Sequence, residues 1–117
     1  MFFLFNTLEV DSNSDKNLFY DKKNIYEENN YTIYFNNVDS NKLKESLSHL
    51  KIRVLNYIVD NKKYYARNID DLINIYSKDK NLYEKLYYEN NGIIIDGINV
   101  ITQNSEIIKL EKLVNIY

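Results

Sequence analysis

At 117 residues, with 44% apolar and 27% charged side chains, the chain has the size and composition of one folded domain, expected over 1–117. The absence of cysteine excludes a disulfide framework, a thiolate zinc site and a cysteine nucleophile, and the single His49 excludes chemistry that needs two imidazoles. A net charge of −2 offers no bulk attraction to nucleic acid or to an anionic membrane.

Met1-Phe2-Phe3-Leu4-Phe5 has no basic residue before it and is too short for a secretory signal or a membrane span. Residues 1–10 are therefore expected to form a buried first strand. From Asp15 to Glu28 the apolar residues fall at helical spacing, thinly. Tyr31-Thr32-Ile33-Tyr34-Phe35, bounded by Asn pairs, predicts a strand. Asp39 or Ser40 then caps a helix in which Leu43, Leu47 and Leu50 form one stripe. Ile52 to Val59 predicts a strand, and Lys63 to Ile69 a strand returning after a tight turn at Asp60-Asn61-Lys62. Asn68 or Asp70 caps a second helical region. There Ile69, Leu72, Ile73 and Tyr76 share a face that Leu82, Tyr83, Leu86 and Tyr87 resume after the polar break at 77–81.

Gly92 after Asn90-Asn91 reads as a helix C-cap. Asp96-Gly97 between β-branched runs predicts a two-residue hairpin turn, pairing Ile95 with Ile98 and Ile93 with Val100. Residues 105–117 predict a last helix with Ile107, Leu110, Val114 and Tyr117 on one face. The order from Tyr31 onward is that of a ferredoxin-like split βαβ unit, with an extra N-terminal strand and a C-terminal hairpin and helix. The expected class is α+β, a mainly antiparallel sheet with helices packed on one face.

Half of the chain is Asn, Ile, Lys and Tyr (19, 15, 13 and 12 residues), whose codons are almost wholly A and T. A strongly AT-rich gene makes Asn pairs, Lys runs and Tyr doublets ordinary, so none of them signals function alone. With glycines only at 92 and 97, a Walker loop, a dinucleotide fingerprint and a serine nucleophile elbow are excluded. Glu27-Glu28 and Asp70-Asp71 are adjacent acids that diverge on a helix, the second pair suiting a helix start. His49 lies beside the leucine stripe with no His-x-x-His or His-x-Glu spacing around it. No metal, cofactor or catalytic residue is implied.

Charge is uneven along the chain. Residues 39–69 carry three acids against seven bases, whereas both flanks are net acidic, and both arginines lie in this middle. Arg53, Tyr57, Lys63, Tyr65 and Arg67 of the 52–69 hairpin are the candidate partner-binding residues. A three-residue turn places Arg53, Tyr57, Tyr65 and Arg67 on one sheet face. A two- or four-residue turn pairs Tyr57 with Tyr64 and sends Arg67 across the sheet. Guanidinium and phenol groups together suit an acidic protein surface, or the bases and phosphates of nucleic acid.

The expectation is a small, non-catalytic, cytoplasmic protein-binding module that inhibits another macromolecule. Phage-encoded anti-defence proteins, anti-CRISPR proteins among them, and toxin-immunity proteins share this compositional profile. The alternatives are a nucleic-acid-binding domain using the basic hairpin and an enzyme with an unrecognised site.

Overall fold

The computed structural model describes residues 27–117. The expected first strand over 1–10 and almost all of the expected helix over 15–28 lie outside the described residues. Eight elements follow: β1 (Asn29–Asp39), α1 (Ser40–Leu47), β2 (Arg53–Val59), β3 (Lys62–Tyr64), α2 (Ile69–Tyr76), α3 (Leu82–Asn91), β4 (Ile94–Thr102) and α4 (Asn104–Glu111). The four strands form one antiparallel sheet in the order β1-β4-β2-β3, so the class is α+β.

Local chemistry sets most boundaries. Asp39 caps α1, its carboxylate accepting the Lys42 N–H at 2.9 Å. Asn68 caps α2 through the Asp71 N–H, and Asn81 caps α3 through the Glu84 N–H. Gly92 ends α3 at φ +77, as the C-cap reading requires. A Cβ there would also stand 2.5 Å from the Ser40 hydroxyl oxygen. That approach is used: the Ser40 N–H donates to the Ile93 carbonyl at 2.7 Å, and the Ile93 N–H donates to Ser40 Oγ at 2.9 Å. The start of α1 is thereby tied to the chain just ahead of β4.

The core joins one face of the sheet to the helices. Ile33, Tyr57, Ile98 and Val100 meet Leu43 of α1, Ile69, Leu72 and Ile73 of α2 and Leu110 of α4 in a single cluster. The predicted leucine and isoleucine stripes of α1 and α2 are thus the sides these helices bury. After α4 the chain turns back rather than continuing as helix to Tyr117. Val114 is buried, and residues 115–117 run along β1: Asn36 N–H donates to Asn115 O at 3.0 Å and Tyr117 N–H to Tyr34 O at 2.9 Å.

Two expectations are corrected. Residues 94–102 are one continuous strand, not a hairpin, and Gly97 does not have a positive φ. Gly97 serves close approach instead: a Cβ there would lie 2.7 Å from the Ile33 carbonyl oxygen of β1. Ile95 pairs with Val38 and Ile98 with both Ile33 and Tyr57, so neither of the predicted isoleucine pairings occurs. The isoleucine-rich β4 therefore takes an interior place, flanked on both sides by paired strands.

The ferredoxin-like arrangement is also not the one observed. The element order from Tyr31 matches, but that arrangement keeps its first strand inside the sheet, next to the third. Here β1 lies at an edge of the described sheet and β4 separates it from β2.

Candidate functional site

The β2–β3 turn has two residues, Asp60 and Asn61, both left-handed at φ 52 and 64. Such a turn matches the twist of the strands it joins. Asp96 supports it by accepting the Asp60 N–H at 2.8 Å, which is this residue's role in place of the predicted turn. The Tyr76 hydroxyl donates to the Asp60 carboxylate at 3.0 Å. Burial first, then this bond, pushes the Tyr76 phenol up to about 12. Tyr76 also stacks edge-on with Tyr64 and Tyr88.

A two-residue turn selects the register that pairs Tyr57 with Tyr64. A bulge at Leu55 changes the face further. Arg53 is opposite Ile101, whereas Tyr57 is opposite Ile98, three residues away and so on the other side of β4. Tyr57 is 3% exposed, inside the core, and burial raises its phenol pKa. Lys63 lies opposite Ile58, itself opposite Gly97, which returns it to the face of Arg53. Tyr65 and Arg67 lie beyond β3, on the way to α2, and are exposed.

Arg67 is an ion-pair partner of Asp71 at 3.4 Å, and its N–H also donates to that carboxylate at 3.1 Å. These contacts, the backbone N–H foremost, hold the Asp71 carboxyl below the usual range. The five predicted residues therefore do not share a face. Arg53 and Lys63 do, Tyr57 is core, and Tyr65 and Arg67 stand apart on the β3–α2 connection. The acid pair Asp70-Asp71 is spent on structure, Asp70 holding Lys44 at 3.0 Å.

The sheet face turned away from the core consists of three registered ranks. They run Asn30–Ile101–Arg53, then Thr32–Asn99–Asn56, then Tyr34–Gly97–Ile58–Lys63. In the middle rank the Thr32 hydroxyl donates to Asn99 Oδ1, and Asn99 Nδ2 donates to Asn56 Oδ1 at 2.6 Å. A Cβ on Gly97 would come within 3.2 Å of Tyr34 Cδ1, so that ring rests against the glycine. Tyr34 remains 53% exposed. The β1 alternation in the sequence already placed Thr32 and Tyr34 together. Their partners on β4 were hidden by the hairpin reading.

A second surface is α3, which has no buried residue. Leu82, Tyr83, Leu86 and Tyr87 were expected to continue the α2 core face, yet they point to solvent at 71, 80, 49 and 54% exposure. The helix is anchored by Tyr88 instead, whose ring meets Tyr76 at 5.4 Å and Tyr87 at 5.7 Å. The break at Ser77–Asn81 lets α3 start at a new rotation, so the apolar stripe does not resume where α2 left it.

A cleft of about 190 Å³ opens between the β1 bulge and the end of α4, lined in part by Asn37, Asp39, Lys42, Lys112 and Asn115. It is smaller than the ~300 Å³ at which ordinary small-molecule pockets begin. Among the described residues no group of three or more His, Asp or Glu side chains could hold a metal ion, and no helix is long and apolar enough to cross a membrane. His49 is exposed in the turn after α1. Comparison with protein-family models, with curated proteins and with solved structures gives no match for this chain.

Proposed function

We propose that the chain is a non-catalytic protein-binding module that docks through the exposed face of α3 and inhibits its partner by occupying the surface it binds. The observation that carries this reading is the α3 stripe itself: four large apolar side chains at i, i+1, i+4 and i+5 on a helix that buries none of its residues. Leaving leucine and tyrosine in water forgoes about 1.5–3 kcal/mol for each large side chain that a partner could cover. Tyrosine also brings contact area with few rotatable bonds to freeze, which suits an interface.

The charges around the stripe select the partner's chemistry. Lys78, Lys80 and Lys85 are balanced by Asp79, Glu84 and Glu89. The segment 78–89 is thus neutral overall, and α3 itself slightly acidic, so an acidic surface offers it nothing; the occupant is a protein groove lined by apolar side chains, engaged in the helix-in-groove mode. An acidic surface would suit Arg53 and Arg67 on one shared face, but the two stand apart, Arg67 beyond β3 and paired with Asp71. On this reading the chain is an inhibitor of the size and composition of small cytoplasmic anti-defence and toxin-immunity proteins.

The test is a photo-crosslinking residue at Tyr83 in cells, with the same residue at Lys112 as the control position. The expected result is a discrete protein captured from position 83 only, which in purified form binds the wild-type chain and loses at least tenfold affinity for Leu86→Asp. Equal capture from both positions, or an unchanged affinity for Leu86→Asp, overturns the reading.

A further inference from the structure

The open face of the sheet has a chemistry of its own, apart from α3. Its three ranks carry two cations, Arg53 and Lys63, and no carboxylate at any paired position, although the chain as a whole is acidic. The cations stand at different corners, Arg53 in the first rank and Lys63 at the β3 end of the third. Neighbouring strands are about 4.8 Å apart and successive ranks about 6.7 Å. The face is thus of the order of 14 Å in each direction between its polar ends. Tyr34, at the opposite end of the third rank from Lys63, has one side of its ring against Gly97 and the rest in solvent. Between the two charged ranks lies the Thr32–Asn99–Asn56 row, whose side chains hold one another in place.

We infer that this face binds a short single-stranded nucleic acid, with a base stacked on Tyr34, a base edge against the Asn99 amide, which the buried Asn56 holds in place, and phosphates on Arg53 and Lys63. Each part follows from the geometry. A flat exposed ring accepts any base on its π-face, and stacking is the main sequence-tolerant contribution to single-strand binding. The half-buried Asn99 amide, held in fixed orientation between Thr32 and Asn56, offers a donor and an acceptor to a base edge that is unpaired and open. Two isolated cations on a carboxylate-free face attract a few phosphates. The acidic flanks of the chain keep the interaction short-range and prevent bulk binding to long polymers. A duplex keeps its Watson–Crick edges paired and its ring faces stacked, so it presents neither to this surface.

Fluorescence anisotropy with labelled eight-nucleotide oligo-dT and oligo-dA, and with a duplex of equal length, tests the inference on the purified chain. No protein partner is present, so the result is independent of the α3 reading. Single strands are expected to bind in the micromolar range at low salt. The log–log salt slope should be roughly −1.4, two phosphates at about 0.7 each. Duplex should bind at least tenfold more weakly.

Tyr34→Ala should weaken single-strand binding about tenfold through the lost stack. Arg53→Glu and Lys63→Glu should each weaken it about fivefold or more and flatten the salt slope. Lys78→Glu, away from the face, should change it less than twofold. Circular dichroism of each variant confirms folding, and if Tyr34→Ala unfolds, the two charge reversals carry the decision. No binding at low salt, equal affinity for duplex, or indifference to both Arg53→Glu and Lys63→Glu overturns the inference.

Discussion

The carboxylate of Glu106 accepts the backbone N–H of Lys51 at 2.7 Å, joining the first turn of α4 to the connection between α1 and β2. The same residue is held through its carbonyl as well, because the fully buried Thr102 hydroxyl donates to the Lys51 carbonyl at 2.7 Å. Lys109 completes the site at 2.9 Å from Glu106. The Lys51 N–H first, and Lys109 second, draw the Glu106 carboxyl below its ordinary value of 4.5.

A lowered carboxyl stabilises the fold above its unfolded value, and that stability is lost as the pH falls through the folded value. Glu106→Gln should therefore lower the melting temperature by several degrees at pH 7 and by less in acid, where the wild-type carboxylate is itself protonated. Melting curves at several pH values below neutral check this. Equal losses at pH 7 and in strong acid would count against the assignment.

Gly97→Ala should cost about 1–3 kcal/mol, because the new Cβ meets the Ile33 carbonyl, which is backbone and cannot rotate away. Gly97→Asn separates this from a turn, since asparagine tolerates a left-handed residue but not a crowded strand. Denaturant midpoints should show Gly97→Asn at least as destabilised as Gly97→Ala.

The Tyr76 phenol titrates at about 12 in the fold, above its ordinary value of 10. A raised value stabilises the protein below pH 10, and this contribution fades as the pH climbs toward 12. Tyr76→Phe keeps the stacks with Tyr64 and Tyr88 but removes the bond to Asp60, and should cost about 0.5–1.5 kcal/mol at neutral pH. Its stability should then fall less between pH 10 and 12 than that of the wild type. Urea unfolding across that window is the measurement.

Leu43 is fully buried and Leu82 largely exposed. Leu43→Ala should cost about 3 kcal/mol, whereas Leu82→Ala should change stability by less than about 0.5 kcal/mol. Comparable losses at both positions would show that the α3 stripe is packed after all.

Short-range chemistry was legible in the sequence. The caps at Asp39 and Asn68, the Gly92 C-cap and the stripes of α1 and α2 all depend on residues within a turn of one another. What could not be read depended on a neighbour far along the chain. Asp96-Gly97 has the same local signature in a hairpin and in a strand, and only the nearness of Ile33 decides between them. The α3 stripe is apolar whether or not anything covers it, and the rotation set by Tyr88 against Tyr76 decides which side faces in. The bulge at Leu55 divided Arg53 from Tyr57, and no residue type there announces it. The sequence is compatible with a turn of two, three or four residues after Val59, and the two-residue turn at Asp60-Asn61 dissolves the predicted site.

The interior place of β4 has a kinetic consequence. Its pairs with β1 join residues 55 to 73 positions apart, from Asp39 with Ile94 to Asn29 with Thr102. Before Ile94–Thr102 is in place, β1 and β2 run in the same direction with nothing between them, and only the β2–β3 hairpin can close locally. Sheet formation therefore waits on one late segment and must close long loops at once, which makes for slow, all-or-none folding. A chain shortened ahead of Ile94 would retain the capping residues and the sequence of the hairpin, yet would lose the Asp96 support of the hairpin turn and have no sheet on which to set out the three ranks.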